Sequence, residues 1–195
     1  MAKRAAAGTL PFMSRRPATY ADLEALPPNQ VGEILRGILY ASPRPAFPHA
    51  RAASTLGVEL GGPFDRGRGG PGGWVIIDEP ELHFGEDVLV PDLAGWRRER
   101  MPEMPISAFT TLAPDWVCEV LSRSTVAIDR SEKLPIYARE GVAHVWLVDP
   151  LAQTLEILRL EGDGYRIVAT PRGDSVVRAE PFDAIELELA VLWAR

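Results

Sequence analysis

Two carboxylates stand in apolar surroundings, where an ionised group is costly. Asp92 follows Val88-Leu89-Val90-Pro91, and Glu119 lies inside Trp116-Val117-Cys118-Glu119-Val120-Leu121. A carboxylate in a poorly solvated core must be paired, held by a metal, or turned to water at a strand end. Strand alternation puts Glu119 on one face with Val117 and Leu121, and Trp116, Cys118 and Val120 on the other. Neighbouring strands can carry Asp92 and Glu119 to one sheet edge, where their oxygens suit a hard cation such as Mg²⁺. Asp129, Lys133 and Tyr137 follow at i, i+4 and i+8, so a helix there presents them as one stripe. Lys133 can neutralise the acids, hold a phosphate or orient a water; it can also be an ordinary partner of Asp129. A metal at the acids would lower the pKa of a bound water and stabilise charge on a transferring phosphate.

Other polar residues carry weaker signals. His49, after Phe47-Pro48 at a helix start, can contact phosphate or water, or simply cap the helix. Tyr137 can position Lys133 or pack in the core. His83 and His144 read as packing residues, and three scattered histidines with one cysteine make no zinc pattern. Cys118 reads as a small buried apolar residue. Ser122, Ser124 and Thr125 read as loop and cap residues, with no His-Asp arrangement to make a serine nucleophile. Asp149 reads as a turn residue before Pro150. Trp96-Arg97-Arg98 with Arg100 forms a local basic patch able to bind backbone phosphate, or a solvated loop with an exposed tryptophan. Arg123, Arg130 and Arg139 add positive charge near the expected helix.

The elements that must hold these residues can be traced along the chain. Residues 1–18 are rich in Ala, Arg and Pro without a period and are expected to be loosely ordered. Thr19 offers a helix N-cap, and Pro27-Pro28 ends that short helix. Residues 32–40 read as two strands reversing at Arg36-Gly37. A helix is expected over 47–60. The glycine-rich stretch 61–73 reads as a flexible connector, with a flap over substrate as the alternative. It lacks the Lys-Ser/Thr ending of a Walker phosphate loop. Strands follow at 74–77, 88–94 and 115–121, with a long proline-containing loop over 97–113. A helix over 127–139 has Pro135 as an internal kink and Gly141 as its stop. A strand over 142–148 and a hairpin of 154–160 with 164–169 complete the core set, and a last short helix falls within 182–193. Strand, helix and strand around 115–148 form one α/β unit. The reading is a mixed central sheet flanked by helices, with residues 19–195 as one domain.

Bulk properties agree. The 195 residues, 46% hydrophobic and 25% charged, suit one folded domain with a real core. A net charge of -6 argues against a basic nucleic-acid coat, but not against an enzyme gripping nucleic acid through a local patch. No apolar run approaches the roughly 20 residues of a membrane span. The N-terminus is no convincing signal peptide, so a cytoplasmic protein without a membrane partner is expected.

The ordered set Gly32-Glu33-Ile34-Leu35-Arg36-Gly37, His49, Val90-Pro91-Asp92-Leu93, Glu119 to Thr125, Asp129 to Lys133, Tyr137, Gly141-Val142 and Trp146 to Pro150 resembles the Uma2 family. These are bacterial proteins of the restriction-endonuclease-like PD-(D/E)xK superfamily. The resemblance spans about residues 19–160. It implies that Pro91-Asp92 is the "PD" element and Glu119 the second acid. The usual lysine two residues on is Leu121 here; Lys133, from the following helix, is the implied substitute. Glu33 is implied as an extra acid near the metal. The expected activity is Mg²⁺- or Mn²⁺-dependent endonuclease cleavage, with Asp92, Glu119 and Lys133 catalytic and Asp92, Glu119 and Glu33 holding the metal. His49 and Tyr137 are accessory, and Arg97, Arg98 and Arg123 are phosphate contacts. Nucleic acid, DNA ahead of RNA, is the expected partner, with a homodimer offering two sites for two strands. Leu121 and the acidic charge keep open the alternative, a catalytically weak or inactive nuclease-fold module that binds nucleic acid or protein. A glycosidase using two carboxylates would not need Lys133, and no aromatic-rich sugar cleft is evident.

Overall fold

The computed structural model describes residues 16–194. Most of the segment expected to be loosely ordered lies outside the described residues. Of the remainder, the Ala18 N–H donates to the Gly37 carbonyl at 2.8 Å. Helix α1 (Tyr20–Glu24) starts at Thr19, whose N–H and hydroxyl both donate to the Asp22 carboxylate at 2.8 Å.

Strands β1 (Gln30–Leu35) and β2 (Ile38–Pro43) form the expected hairpin. Arg36 and Gly37 both take positive φ, 52° and 75°, as a two-residue reversal with the strands' own twist requires. Helix α2 (Phe47–Leu60) has the expected bounds, with Pro48 in its first turn and Ala52, Leu56 and Leu60 on its buried stripe. The glycine-rich stretch departs from expectation. Gly61–Asp65 continues α2 as a π-helical turn that buries Phe64. The turn is tied to the segment beyond it by Arg68 N–H to Gly62 O and Gly72 N–H to Pro63 O, both at 2.9 Å.

β3 (Trp74–Asp78), β4 (Glu81–Phe84), β5 (Asp87–Leu89) and β6 (Leu93–Arg97) follow. The single strand expected over 88–94 is therefore two strands, broken at Val90-Pro91-Asp92. Proline has no N–H to give a ladder, and the chain leaves one sheet for another there. After β7 (Phe109–Thr110) come β8 (Trp116–Val120), α3 (Val126–Ile128), a π-helical turn at Asp129–Lys133, and α4 (Leu134–Arg139). This is the expected 127–139 helix. Pro135 does not end it; the turn just before the proline widens instead, which absorbs the missing N–H and the ring. β9 (His144–Asp149), β10 (Thr154–Glu161), β11 (Gly164–Ala169), β12 (Val176–Val177), β13 (Leu187–Glu188) and α5 (Ala190–Trp193) complete the chain.

The main sheet runs β11-β10-β9-β8-β6-β3, with β8 and β9 parallel and the other neighbours antiparallel. A smaller sheet runs β2-β1-β5-β4-β7. One face of the main sheet, with Trp116, Cys118 and Val120, packs under α2 and the C-terminal residues Phe182, Leu187, Leu189 and Leu192. Phe182 is the hub there, its ring 4.7–5.6 Å from those of Phe64, Trp74, Trp116 and Trp146. The other face, with Val117, Leu121, Val145 and Leu147, packs against Leu35, Leu82 and Leu89 of the smaller sheet and Ile136 and Tyr137 of α4. The mixed central sheet flanked by helices is thus present. No helix among the described residues is long and apolar enough to cross a membrane.

Candidate active site

The break at Pro91 sets the position of Asp92. Leu93 pairs with Cys118 in the β6–β8 ladder, so Asp92 stands one step beyond it, beside Glu119. The Asp92 carboxylate takes over the ladder's role: its Oδ2 accepts the Val120 N–H at 2.7 Å. Its Oδ1 lies 3.4 Å from His49 Nε2, on the first turn of α2. Glu119, 3% exposed at its side chain, points to the face expected from alternation. Its Oε1 accepts the Tyr137 hydroxyl at 2.5 Å, and its Oε2 lies 3.1 Å from Lys133 Nζ.

Lys133 is the centre of the cluster. Its ammonium lies 3.0 Å from Glu33 Oε1, 3.1 Å from Glu119 Oε2 and 3.3 Å from Asp129 Oδ1. Glu33 Oε1 also accepts the Val90 N–H at 2.8 Å, tying β1 to the strand break. A cavity of about 220 Å³ opens here, lined among others by Glu33, His49, Asp92, Glu119 and Lys133.

Charge explains the protonation pattern. Burial pushes the Glu119 carboxyl well above the usual range; Lys133 pulls it back, and Asp129, Asp92 and Glu33 push it up again. Burial likewise raises Glu33 and Asp129 against the pull of Lys133. For Lys133, burial alone would favour the neutral amine, but the carboxylates around it hold its pKa well above the ordinary lysine value. Burial and Glu119 hold Tyr137 firmly protonated. Burial opposes the imidazolium of His49, and Asp92 outweighs it, raising its pKa. Four carboxylates thus face one lysine and one histidine, an excess of negative charge.

The structure brings together Asp92, Glu119, Lys133, Glu33, His49 and Tyr137. Leu121, where the usual lysine would stand, is 5% exposed and packed in the core with Tyr137. Arg97 and Arg98 are not brought to the cavity. They lie at the far end of β6, about 16 Å along a strand from Asp92. Arg97 stacks on the Trp74 ring at 4.1 Å, and Arg98 binds Asp65 at 2.6 Å and the Trp74 carbonyl at 2.7 Å. Trp96 is fully buried, its Nε1–H donating to Leu112 O at 2.9 Å, rather than exposed in a loop. Arg123 is exposed in the 122–125 turn, whose other three residues border the cavity. Asp149 is the turn residue expected, accepting the N–H groups of Leu151 and Ala152.

Two rim features add to the sequence reading. Asp129, expected on the stripe with Lys133 and Tyr137 and as a partner of Lys133, also completes the carboxylate set. Glu79 also borders the cavity, at a φ of 47° in the short link between β3 and β4, where its N–H donates to the Asp92 carbonyl at 3.0 Å. The Glu79-Pro80 pair was the available signal. Among the described residues, no group of three or more His, Cys, Asp and Glu is arranged to hold a metal ion.

A mixed sheet carrying a Pro-Asp break, a second acid on the adjoining strand and a lysine against that acid defines a nuclease-like protein of the restriction-endonuclease-like, PD-(D/E)xK class. Residues 17–191 match the model of the Uma2 family, described as "Putative restriction endonuclease", and the chain belongs to that family. No curated protein matches it. Among solved structures it is similar to one from Anabaena variabilis described as "a putative nuclease belonging to DUF820". The two are 22% identical with a TM-score of 0.72, over 91% of this chain and 98% of the other, a likeness of fold.

Proposed function

We propose that this protein cleaves nucleic-acid phosphodiester bonds by hydrolysis at the Asp92–Glu119–Lys133 cluster, with Mg²⁺ or Mn²⁺ as cofactor. The observation that carries the reading is the ammonium of Lys133, arriving from the helix to stand 3.1 Å from Glu119 where the strand itself offers only Leu121. The donor set fits a hard divalent cation. Asp92 and Glu119 present adjacent carboxylates, and the surplus of negative charge is what such an ion would cancel. Mg²⁺ keeps several waters and needs only one or two protein carboxylates, so a complete protein cage is not required. Asp92 and Glu119 would hold the ion, with Glu33 beside them; it would supply Lewis-acid stabilisation and an acidified water.

The chain's own residues would do the rest. Lys133 would leave part of its carboxylate contact to hold a non-bridging phosphate oxygen as charge grows there. Tyr137 fixes Oε1 of Glu119 by its hydrogen bond, so that Oε2, on the Lys133 side, would be the oxygen that meets the ion. His49, whose pKa is raised by Asp92 against the effect of burial, is placed to give a proton at Nε2 or to hold a phosphate oxygen.

Plasmid, single-stranded DNA and RNA should be cut with Mg²⁺ or Mn²⁺ and spared with EDTA. Glu119→Gln and Lys133→Ala should each lower cutting by about a hundredfold or more, with circular dichroism unchanged. Silence in metal calorimetry, together with no cleavage of any of these substrates, would sink the reading. A second reading, a binding module without turnover, is favoured by the three carboxylates that already occupy Lys133 and by the absence of a ready metal cage among the described residues. It predicts retained nucleic-acid binding with no metal-dependent cutting.

A further inference from the structure

The first turn of α2 is a ridge between two cavities. His49 faces the acidic one. Phe47 and Arg51, spaced i and i+4, form a different stripe of the same helix and border a second cavity of about 470 Å³. Phe47, Pro48, Arg51, Leu151, Gln153 and Trp193 line it. Its volume lies within the roughly 300–1,000 Å³ usual for small-molecule sites.

Three features suit a particular occupant. Phe47 is 92% exposed, an aromatic face kept in water at the ridge. Trp193 contributes a second ring, partly buried in the cavity wall. Arg51 is exposed on the wall of this second cavity, with no carboxylate within ion-pair distance among the described residues. A flat heterocycle with polar edges, carried on an anionic strand, satisfies all three. Stacking uses the rings, the edge of the base meets the exposed Gln153 amide, and Arg51 takes a phosphate. A purely aliphatic ligand leaves Arg51 and the Gln153 amide unused.

We infer that this cavity is a nucleobase subsite, taking an unpaired base of the strand whose neighbouring phosphate lies in the acidic pocket. This rests on the proposed nuclease reading and sharpens its substrate class: single strands, or duplexes with a base turned out of the stack. A paired base cannot enter, because its face is covered by its neighbours. Base–aromatic stacking is tolerant of sequence, so the subsite selects for unpairedness rather than for one base.

The test uses the full chain with Ca²⁺ in place of Mg²⁺ and strands checked as intact on a gel. A labelled thymidine homopolymer should bind more tightly than a strand of equal length made of abasic sugars, and more tightly than a duplex. Phe47→Ala should weaken the thymidine strand by roughly five- to hundredfold and leave the abasic strand unchanged. Since Phe47 is almost wholly exposed, its truncation spares the fold. Tryptophan fluorescence gives a second readout. The other four tryptophans are at most 1% exposed, so quenching by adenosine monophosphate reports Trp193 and should vanish in Trp193→Phe. Equal binding of thymidine and abasic strands by an enzyme that still cuts would overturn the subsite alone. Equal losses for both strands in Phe47→Ala would do the same. Absence of both binding and cutting overturns the subsite together with the nuclease reading. Self-association abolished by Phe47→Ala, with no preference for bases, would assign the cavity to a second copy and also overturn it.

Discussion

Lys133 answers three carboxylates at once, which makes its removal costly in a specific way. Breaking a buried charge cluster by taking out one partner typically costs about 3–5 kcal/mol, because the opposing charges are left unpaired. Lys133→Met should therefore lower unfolding free energy by about that amount at neutral pH, measured by urea unfolding. Adding Glu119→Gln to it should restore part of the loss, since one unpaired charge goes too. Simple additivity of the two losses would show that Lys133 and Glu119 do not interact. Much of this cluster was legible in the sequence. Asp92 and Glu119 stood out as acids in apolar runs, and the stripe of Asp129, Lys133 and Tyr137 stood out by spacing. That Lys133 would meet Glu33 as well was not legible from spacing, because β1 belongs to another sheet and only tertiary packing brings it near.

At the level of elements, agreement followed periodicity and punctuation. Helix α2 has a proline in its first turn and a glycine run at its end, so both bounds could be read. The β1–β2 and β10–β11 hairpins had glycine at their reversals. The failures share one cause. β4 and β5 are four and three residues long, too short for a period, and they exist because partner strands wait for them. The π-helical turn before Pro135 answers a local backbone misfit that side-chain patterns do not report. Gly95 gives a prediction on this scale. A Cβ there would stand 3.2 Å from Trp116 and 3.3 Å from Trp74, both fully buried rings with little room to shift. Gly95→Ala should destabilise by about 1–3 kcal/mol, seen as a lower urea midpoint with an unchanged slope.

The whole molecule is closed by its C-terminal third. Segment 179–189 lies across the main sheet, and Glu180 fastens it. Its backbone carbonyl accepts the Trp146 indole N–H at 2.8 Å, its carboxylate pairs with Arg159, and His144 Nδ1 lies 3.8 Å away. Hydrogen bonding to Arg159 lowers the Glu180 pKa, while burial lowers that of His144. Both shifts act in one direction. Each group binds protons more readily unfolded, so stability present at neutral pH is lost as pH falls. The loss begins near the ordinary histidine value of 6.5 and steepens below the ordinary carboxylate value of 4.5. Thermal melts from pH 7 to 4 should show this decline, and Glu180→Gln should flatten its lower part. A variant declining in parallel with the wild type would assign the acid sensitivity elsewhere.

At Val90-Pro91-Asp92 the chain crosses from the smaller sheet to the main sheet, and the acidic pocket sits on that crossing. Glu33 comes from one slab and Glu119 from the other, so the pocket works as a gauge of how the two slabs sit against each other. A sub-ångström slip between them, caused by repacking Leu35, Leu82 or Leu89 well below the surface, would open or close the spacing that Lys133 spans. Distant, wholly apolar substitutions in the smaller sheet are then expected to tune the chemistry while leaving every charged residue in place.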